Sequence, residues 1–409
     1  MLKNYFRIAI AVLKRRKFFT FISLFGISFT LTILVVLSAF IDKILNDNYP
    51  DKKRNRSLYI NHLSEIGEQS FNGGRLSYYF LDHYVGSLKT PEKLAFSSSF
   101  QATNTYVNNK KITINYKYTD ANYWEVTDYE FLEGKPFTAQ QIKDAEKVGI
   151  ISEATKLAYF GNVSSVVGQY IEADNIRYRV QGVVKNVPIT LSMFYGDLYL
   201  PYTVSKIDVT RDKDYRGNFF GILLAPSSSD LKAMQAEYDA MLSKVPMSDS
   251  QFNRIYAPAE TFIYAYLNTG NDKKNGFQYA LTALGVFILL VMLLPTLNLV
   301  NINITRILER SSEIGVRKAF GASSKTLVYQ FLTENLILTF LGGLIGLLFS
   351  FIIIQVLNRL NLIDHLQLSL SLPVFVAGIL ICLVFGLVSG VYPAWRMSKL
   401  HVVSALKAQ

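Results

Sequence analysis

The stretch 309–322 reads Glu-Arg-Ser-Ser-Glu-Ile-Gly-Val-Arg-Lys-Ala-Phe-Gly-Ala. Its chemistry is ionic docking rather than bond making. Glu313 precedes Arg317 by four residues, the favourable order for an ion pair on a helix. Arg317 and Lys318 fall in the last turn, where the helix dipole favours cations, and Gly321 suits the C-cap. Ile314, Val316 and Phe320 add apolar groups that can enter a partner's groove. On charges alone the segment is equally an ordinary solvated loop.

Few other residues are spaced for chemistry. His62, His83, His365 and His401 do not pair at metal-ligand spacing, and His-Glu-x-x-His is absent. No Gly-x-Ser-x-Gly occurs, and no glycine-rich dinucleotide fingerprint follows a strand. Gly321-Ala-Ser-Ser-Lys-Thr lacks the second glycine before Lys325 that a phosphate-binding loop requires. The sequence therefore reads as non-enzymatic, with no cofactor or metal in this chain. Cys382, the single cysteine, excludes an intramolecular disulfide and reads as a small packing residue.

The elements that must position the ionic stretch are apolar helices. Half of the 409 residues are apolar, and they collect into four stretches without Asp, Glu, Lys or Arg: 18–41, 279–302, 336–358 and 372–395. Each can cross a hydrocarbon core of about 30 Å as a helix. Strands would leave backbone groups unpaired in lipid. The first stretch has the basic flank of a signal peptide, but its length and the lack of a small-x-small site make it an uncleaved anchor.

Charge sets the orientation. Residues up to 17, the loop between the second and third spans, and the tail together hold 14 basic and 2 acidic residues. The segment 43–276 holds 27 basic and 26 acidic. The positive-inside rule puts both termini and the 305–326 segment in the cytoplasm and exports 43–276. Anionic lipid accounts for the basic ends without nucleic acid.

The expected architecture is an α-helical membrane protein with four transmembrane helices and a large α+β extracytoplasmic domain inserted between helices 1 and 2. In order it has an amphipathic cytoplasmic helix at 1–17, helix 1 at 18–42 and the extracytoplasmic domain at 43–276. Helix 2 follows at 277–304, a cytoplasmic coupling segment at 305–326 and helix 3 at 327–358. A short external loop at 359–371, helix 4 at 372–395 and a cytoplasmic tail at 396–409 complete it.

Within the spans no charge marks an ion relay. Glu334 reads as reaching the headgroups beside Lys325. Asn298, Asn301 and Asn303 could bond across helices, Pro295 could kink helix 2, and Gly342-x-x-x-Gly346 and Gly386-x-x-x-Gly390 permit close helix packing. In the exported part, Ile112, Ile114, Tyr116 and Tyr118 alternate with polar residues as a half-buried strand after a turn at Asn108-Asn109. A strand at 148–151, a helix at 153–160 stopped by Gly161, and a strand through Ile176, Tyr178 and Val180 after an Asp174-Asn175 turn follow. Leu231, Met234, Tyr238, Met241, Leu242 and Val245 form an amphipathic helix with an N-cap among 227–229. The basic run 52–56 reads as a solvated link.

Several motifs resemble the MacB/FtsX-type permeases of ABC transporters. They are the 309–322 stretch, Gln330-Phe-Leu-x-Glu334, Gly342-Gly-x-x-Gly346, and Tyr392-Pro-Ala-Trp-Arg396 with Ala405-Leu-Lys407. The exported part resembles that family's periplasmic core domain in Tyr123-Trp-Glu-Val126, Gly134-Lys-Pro-Phe137, Ile150-Ile-Ser-Glu153, Phe160-Gly161 and Val180-x-Gly-Val-Val-Lys185. One departure is Val402-Val403, where the family usually carries a proline before the final Ala-Leu.

The resemblance implies a permease dimer, of two copies or of paralogues, on a separate ABC ATPase that binds ATP and Mg. Glu309, Arg310, Glu313, Ile314, Gly315, Arg317, Lys318 and Phe320 would couple to that ATPase. The exported domain would move in response, a mechanism called mechanotransmission, driving efflux with a periplasmic adaptor and an outer-membrane duct. A lipoprotein-release permease, or a regulatory permease controlling a cell-envelope enzyme or sensing antimicrobial peptides, is the alternative. A receptor with no ATPase would instead tolerate any change to the 309–322 charges.

Overall fold

A computed structural model describes residues 17–45, 49–107, 109–270, 276–309, 316, 324–363, 365–370 and single positions between 373 and 387. The chain divides into two compact units. One comprises Met1–Lys43, Thr282–Leu362 and Gln367–Gln409; the other comprises Ile44–Leu281 with Ile363–Leu366.

The second unit is a mixed sheet of fourteen strands. These are β1 (Ser57–Ile60), β2 (Leu63–Ile66), β3 (Phe71–Leu76), β4 (Lys93–Ser98), β5 (Gln101–Val107), β6 (Lys110–Thr119) and β7 (Phe131–Gly134). β8 (Val148–Ser152), β9 (Tyr170–Ala173), β10 (Ile176–Val184), β11 (Leu198–Pro201), β12 (Arg216–Gly217), β13 (Phe219–Leu224) and β14 (Arg254–Tyr256) follow. The order is β14-β2-β3-β13-β4-β6-β11-β8-β10-β7, with β1, β12, β5 and β9 pairing at its flanks. β8 with β10 and β6 with β11 are parallel; the other pairs are antiparallel.

Side chains alternate between two cores. In β13, Phe219 and Leu223 enter one core, while Phe220, Ile222 and Leu224 enter the other. In β11, Leu198 and Leu200 are divided from Tyr199 in the same way. This is the period-two pleat of a strand buried on both faces.

Local expectations in this unit meet a definite structure. The helix α4 spans Glu153–Phe160, after α2 (Asn122–Val126) and α3 (Ala139–Lys143). Ser152 Oγ accepts from Thr155 N at 3.1 Å to open α4, and Gly161 closes it at φ 79°, where an L side chain would be strained. Asp174 and Asn175 form the β9–β10 turn, with φ 52° and 62°. The helix α5 spans Leu231–Leu242 and buries Met234 and Tyr238. Ser227 caps the short turn Ser228–Asp230 that leads into α5, rather than α5 itself. A last helix, α6, spans Phe262–Tyr266.

Two expectations are corrected. β6 is half-buried only in its first part; from Tyr116 onward both faces are buried, with Tyr116 and Tyr118 in one core and Lys117 on the other side over the Phe220 ring. Lys117 is consequently enclosed; its Nζ donates to Met193 O at 2.6 Å, and burial holds its pKa well below the usual lysine value. The basic run 52–56 is not a solvated link either, because Arg54 is buried at 8 % exposure.

The first unit contains α1 (Lys17–Leu45), α7 (Gly276–Glu309, whose first residues belong to the other unit) and α8 (Ser324–Leu360). All three contain a segment long and apolar enough to cross a membrane. The fourth expected span lies largely outside the described residues, with helical positions at 373, 376–378, 380, 383, 384 and 387. α7 continues through Pro295. Asn358, near the end of α8, bonds Leu368 N and O at 2.9 Å each, fixing the turn after the helix. Glu334 is buried at 3 % exposure instead of reaching toward headgroups, because it sits on the packed side of α8 with Asn335, Leu338 and Thr339.

Candidate functional site

The expected coupling residues fall between α7 and α8 in the sequence. α7 ends at Glu309, within the ionic stretch, and α8 begins at Ser324, just beyond it. Arg310, Glu313, Ile314, Gly315, Arg317, Lys318 and Phe320 lie outside the described residues; Val316 is helical and exposed. The amphipathic helix at 1–17 is likewise outside them except for Lys17, which opens α1.

A seam between α1 and α8 holds two of the four expected packing glycines. A Cβ on Gly342 would lie 2.8 Å from Ile27 Cγ2, and one on Gly346 would lie 2.8 Å from Ser28 O and 3.0 Å from Leu31 Cβ. Such distances require bare backbone on α8. Thr32 Oγ1 donates to Ser28 O at 2.7 Å and also lies 3.1 Å from Gly346 O, binding the seam with a polar contact. Ile27, Leu31, Val35 and Leu347 complete it. Gly386 and Gly390 lie outside the described residues. Gly378, which the spacing rule passes over because no glycine stands four residues away, abuts Val35 and Leu31 with a Cβ clearance of 3.2 Å and 3.5 Å.

The large domain contains a joint that sequence reasoning missed. α1 ends at Leu45, and its last two residues belong to the domain's unit. The final carbonyls of a helix lack intrahelical donors. Arg54 supplies them: its Nη1 donates to Ile44 O at 2.8 Å and Leu45 O at 3.4 Å. A cation at that place also complements the helix dipole. Its Nε donates to Asp51 Oδ2 at 2.8 Å, and the guanidinium carbon lies 3.7 Å from the centre of the Phe262 ring. Tyr59 Oη donates to Asp51 at 2.8 Å. Burial first, and Asp51 second, hold the Tyr59 phenol well above its ordinary pKa.

The same ring reaches the domain's exit. Phe262 packs edge-on against Tyr59 at 5.5 Å and opens α6. Tyr59 and Glu260 exchange backbone hydrogen bonds of 2.7 and 3.0 Å, so the first strand lies beside the segment leading out. At the start of α7, a Cβ on Gly276 would lie 1.7 Å from Leu267 O. The only signal in the sequence for this joint was an arginine with an aspartate three residues before it, a pair common on any surface. Among the described residues, no three His, Cys, Asp or Glu side chains converge as metal ligands.

Comparison with known proteins bears directly on these elements. The model of the MacB-like periplasmic core domain matches residues 20–241, and that of the FtsX-like permease C-terminal region matches 285–402. The chain belongs to the MacB/FtsX family of ABC transporter permeases. The large α+β unit corresponds to the MacB-like periplasmic core domain, and α7 and α8 fall in the FtsX-like region.

Relatives include an uncharacterized ABC transporter permease, YvrN, of Bacillus subtilis, 26 % identical over 70 % of this chain and 68 % of its own length. The pyoverdine export ATP-binding/permease protein PvdT of Pseudomonas fluorescens is 25 % identical, over 71 % of this chain and 42 % of its own length. The macrolide export ATP-binding/permease protein MacB of Acinetobacter baylyi is 24 % identical, over 73 % and 44 %. The match thus spans less than half of these two export proteins.

Similar solved structures include the periplasmic region of MacB from Actinobacillus actinomycetemcomitans, at 18 % identity and a TM-score of 0.37, covering 53 % of this chain and 94 % of that one. The extracellular domain of YknZ from Gram-positive bacteria follows at 15 % and 0.36, covering 48 % and 99 %. MacB/FtsX permeases are membrane components of ABC transporter systems, in which ATP hydrolysis belongs to an ATPase component.

Proposed function

We propose that this MacB/FtsX permease couples ATP hydrolysis on a separate ATPase to movement of its periplasmic domain, driving efflux of periplasmic substrates. One observation carries the reading. α7 is a single 34-residue helix whose first turn belongs to the domain's unit and whose last residue lies in the ionic stretch. At 1.5 Å per residue it is about 50 Å long, well beyond a bilayer core of about 30 Å. A helix continuous over that length, with a kink expected at Pro295, can pass displacement between its ends without a path for cargo through the membrane.

In this reading Glu309, Arg310, Glu313, Ile314, Gly315, Arg317, Lys318 and Phe320 bear on the ATPase, which holds ATP and Mg; this chain holds neither. The permease works as a dimer of two copies or two paralogues. A periplasmic adaptor and an outer-membrane duct carry the cargo onward. Four spans place both termini in the cytoplasm. The export named for the PvdT and MacB relatives supports efflux over lipoprotein release or signalling.

The test is Glu313→Lys with Arg317→Glu. The doubly substituted chain should insert normally and fail to stimulate the co-purified ATPase. Full stimulation by this variant would overturn the coupling role and favour a receptor without an ATPase.

A further inference from the structure

The large domain holds a cavity of about 200 Å³ that neither the coupling reading nor the joint uses. It opens between the ends of β3, β4 and β6, the start of β13 and the loop at 205–214. Its inner wall is aromatic: Tyr78, Tyr118 and Phe219. That wall is set in advance. Tyr78 stacks on Tyr202 at 4.8 Å and meets Phe96 edge-on at 5.2 Å, and Phe96 in turn meets Phe219 at 6.0 Å. At the mouth stand Ile207, 73 % exposed, and Asp212, which is exposed as well.

Asp212 is the only ionisable acid or base, tyrosine apart, in the lining. One of its oxygens accepts from Asp214 N at 3.0 Å, and among the described residues no cation pairs with it. The neighbouring Arg211 is engaged by Asp208 at 2.8 Å. The cavity therefore pairs a rigid aromatic interior with one negative charge at its rim. Cations are attracted both to a carboxylate and to aromatic faces. The volume lies below the roughly 300–1,000 Å³ of sites for drug-sized ligands.

We propose that this cavity is a binding site for a small amphipathic amine, with the apolar end against Tyr78, Tyr118 and Phe219 and the ammonium beside Asp212. Carboxylates and other anions are disfavoured by the rim charge. The proposal does not rest on the coupling reading, because binding is measured without an ATPase.

The test uses the full chain in nanodiscs of zwitterionic lipid, with empty nanodiscs subtracted. Saturation-transfer NMR titrations compare phenethylamine, phenethyl alcohol and 3-phenylpropionate. Phenethylamine should bind with a dissociation constant on the order of 1 mM, as its size allows. It should bind about fivefold tighter than the alcohol, the range of an exposed ion pair reinforced by an aromatic face. The propionate should bind more weakly than the alcohol. Asp212→Asn should remove the preference for the amine and leave alcohol binding unchanged. Val209→Trp, which fills the cavity from the loop, should abolish both. Equal binding of the three probes, no binding of phenethylamine, or an unchanged preference in Asp212→Asn would overturn the assignment. So would full binding in Val209→Trp.

Discussion

Replacing Arg54 by methionine tests the joint at the end of α1. The substitution keeps the bulk of the stem and removes the guanidinium. The 2.8 Å bond to Asp51, the bonds to Ile44 O and Leu45 O and the stacking on Phe262 go with it. Asp51 is itself buried at 3 % exposure, so its carboxylate loses the 2.8 Å ion pair in a site shielded from water. Breaking a buried pair in this way costs about 3–5 kcal/mol. Tyr59 still donates to Asp51, which favours the lower end, about 3 kcal/mol.

A second substitution separates charge from packing. Asp51→Asn removes the stranded charge, and a pair replaced on both sides loses much less than either partner alone. Arg54→Met with Asp51→Asn should therefore lose only about 1 kcal/mol, giving a coupling of about 2 kcal/mol or more between the two positions. The assay is urea unfolding of the full chain in nanodiscs, followed by tryptophan fluorescence. The chain has two tryptophans, and Trp124 is buried in the large domain. A Trp395→Phe background makes Trp124 the sole reporter. Strictly additive costs, or a loss below about 0.5 kcal/mol for Arg54→Met, a value typical of surface positions, would refute the buried joint.

Two further outcomes follow from the packing and the burial. Gly346→Leu should destabilise the detergent-solubilised chain by about 1–3 kcal/mol through overpacking against Ser28 and Leu31, whereas Gly285→Leu, at a position with open space around it, should be neutral. Equal thermal midpoints for the two variants would contradict the α1–α8 seam. Asp120 is enclosed, and burial pushes its pKa up to about 7 despite hydrogen bonds from Phe96 N and Tyr123 N. Its contribution to stability is full below about pH 4 and is lost as pH rises through about 7, since only the unfolded chain ionises freely in between. Asp120→Asn should thus match the wild type near pH 4 and exceed it increasingly up to pH 7, by a few kcal/mol on the order expected from the shift. A difference independent of pH would refute the burial argument.

What was legible in the sequence followed from periodicity and punctuation. α4 and α5 announced themselves through a cap, a glycine stop or a three-and-four spacing, and the β9–β10 turn through Asp174-Asn175. β1, β11 and β13 did not. Phe219–Leu224 is buried on both faces, so its residues run apolar without alternation and carry no strand period. Arg54 and Lys117 were misjudged for a related reason. A basic side chain reads as solvated unless its partners are known, and those partners are two helix-end carbonyls and Asp51 in one case and Met193 O in the other. The glycine pair Gly342 and Gly346 was legible from spacing, while Gly378 meets α1 singly and leaves no motif.

Tyr59 and Glu260 bond to one another across two hundred residues of intervening chain, so the domain's doorway and its way out are neighbours. A module arranged like this can be exchanged for another by joining the chain at two neighbouring points. Such a frame can accept heads of different shape, and diversification of the part that meets the outside world need not disturb the machinery below.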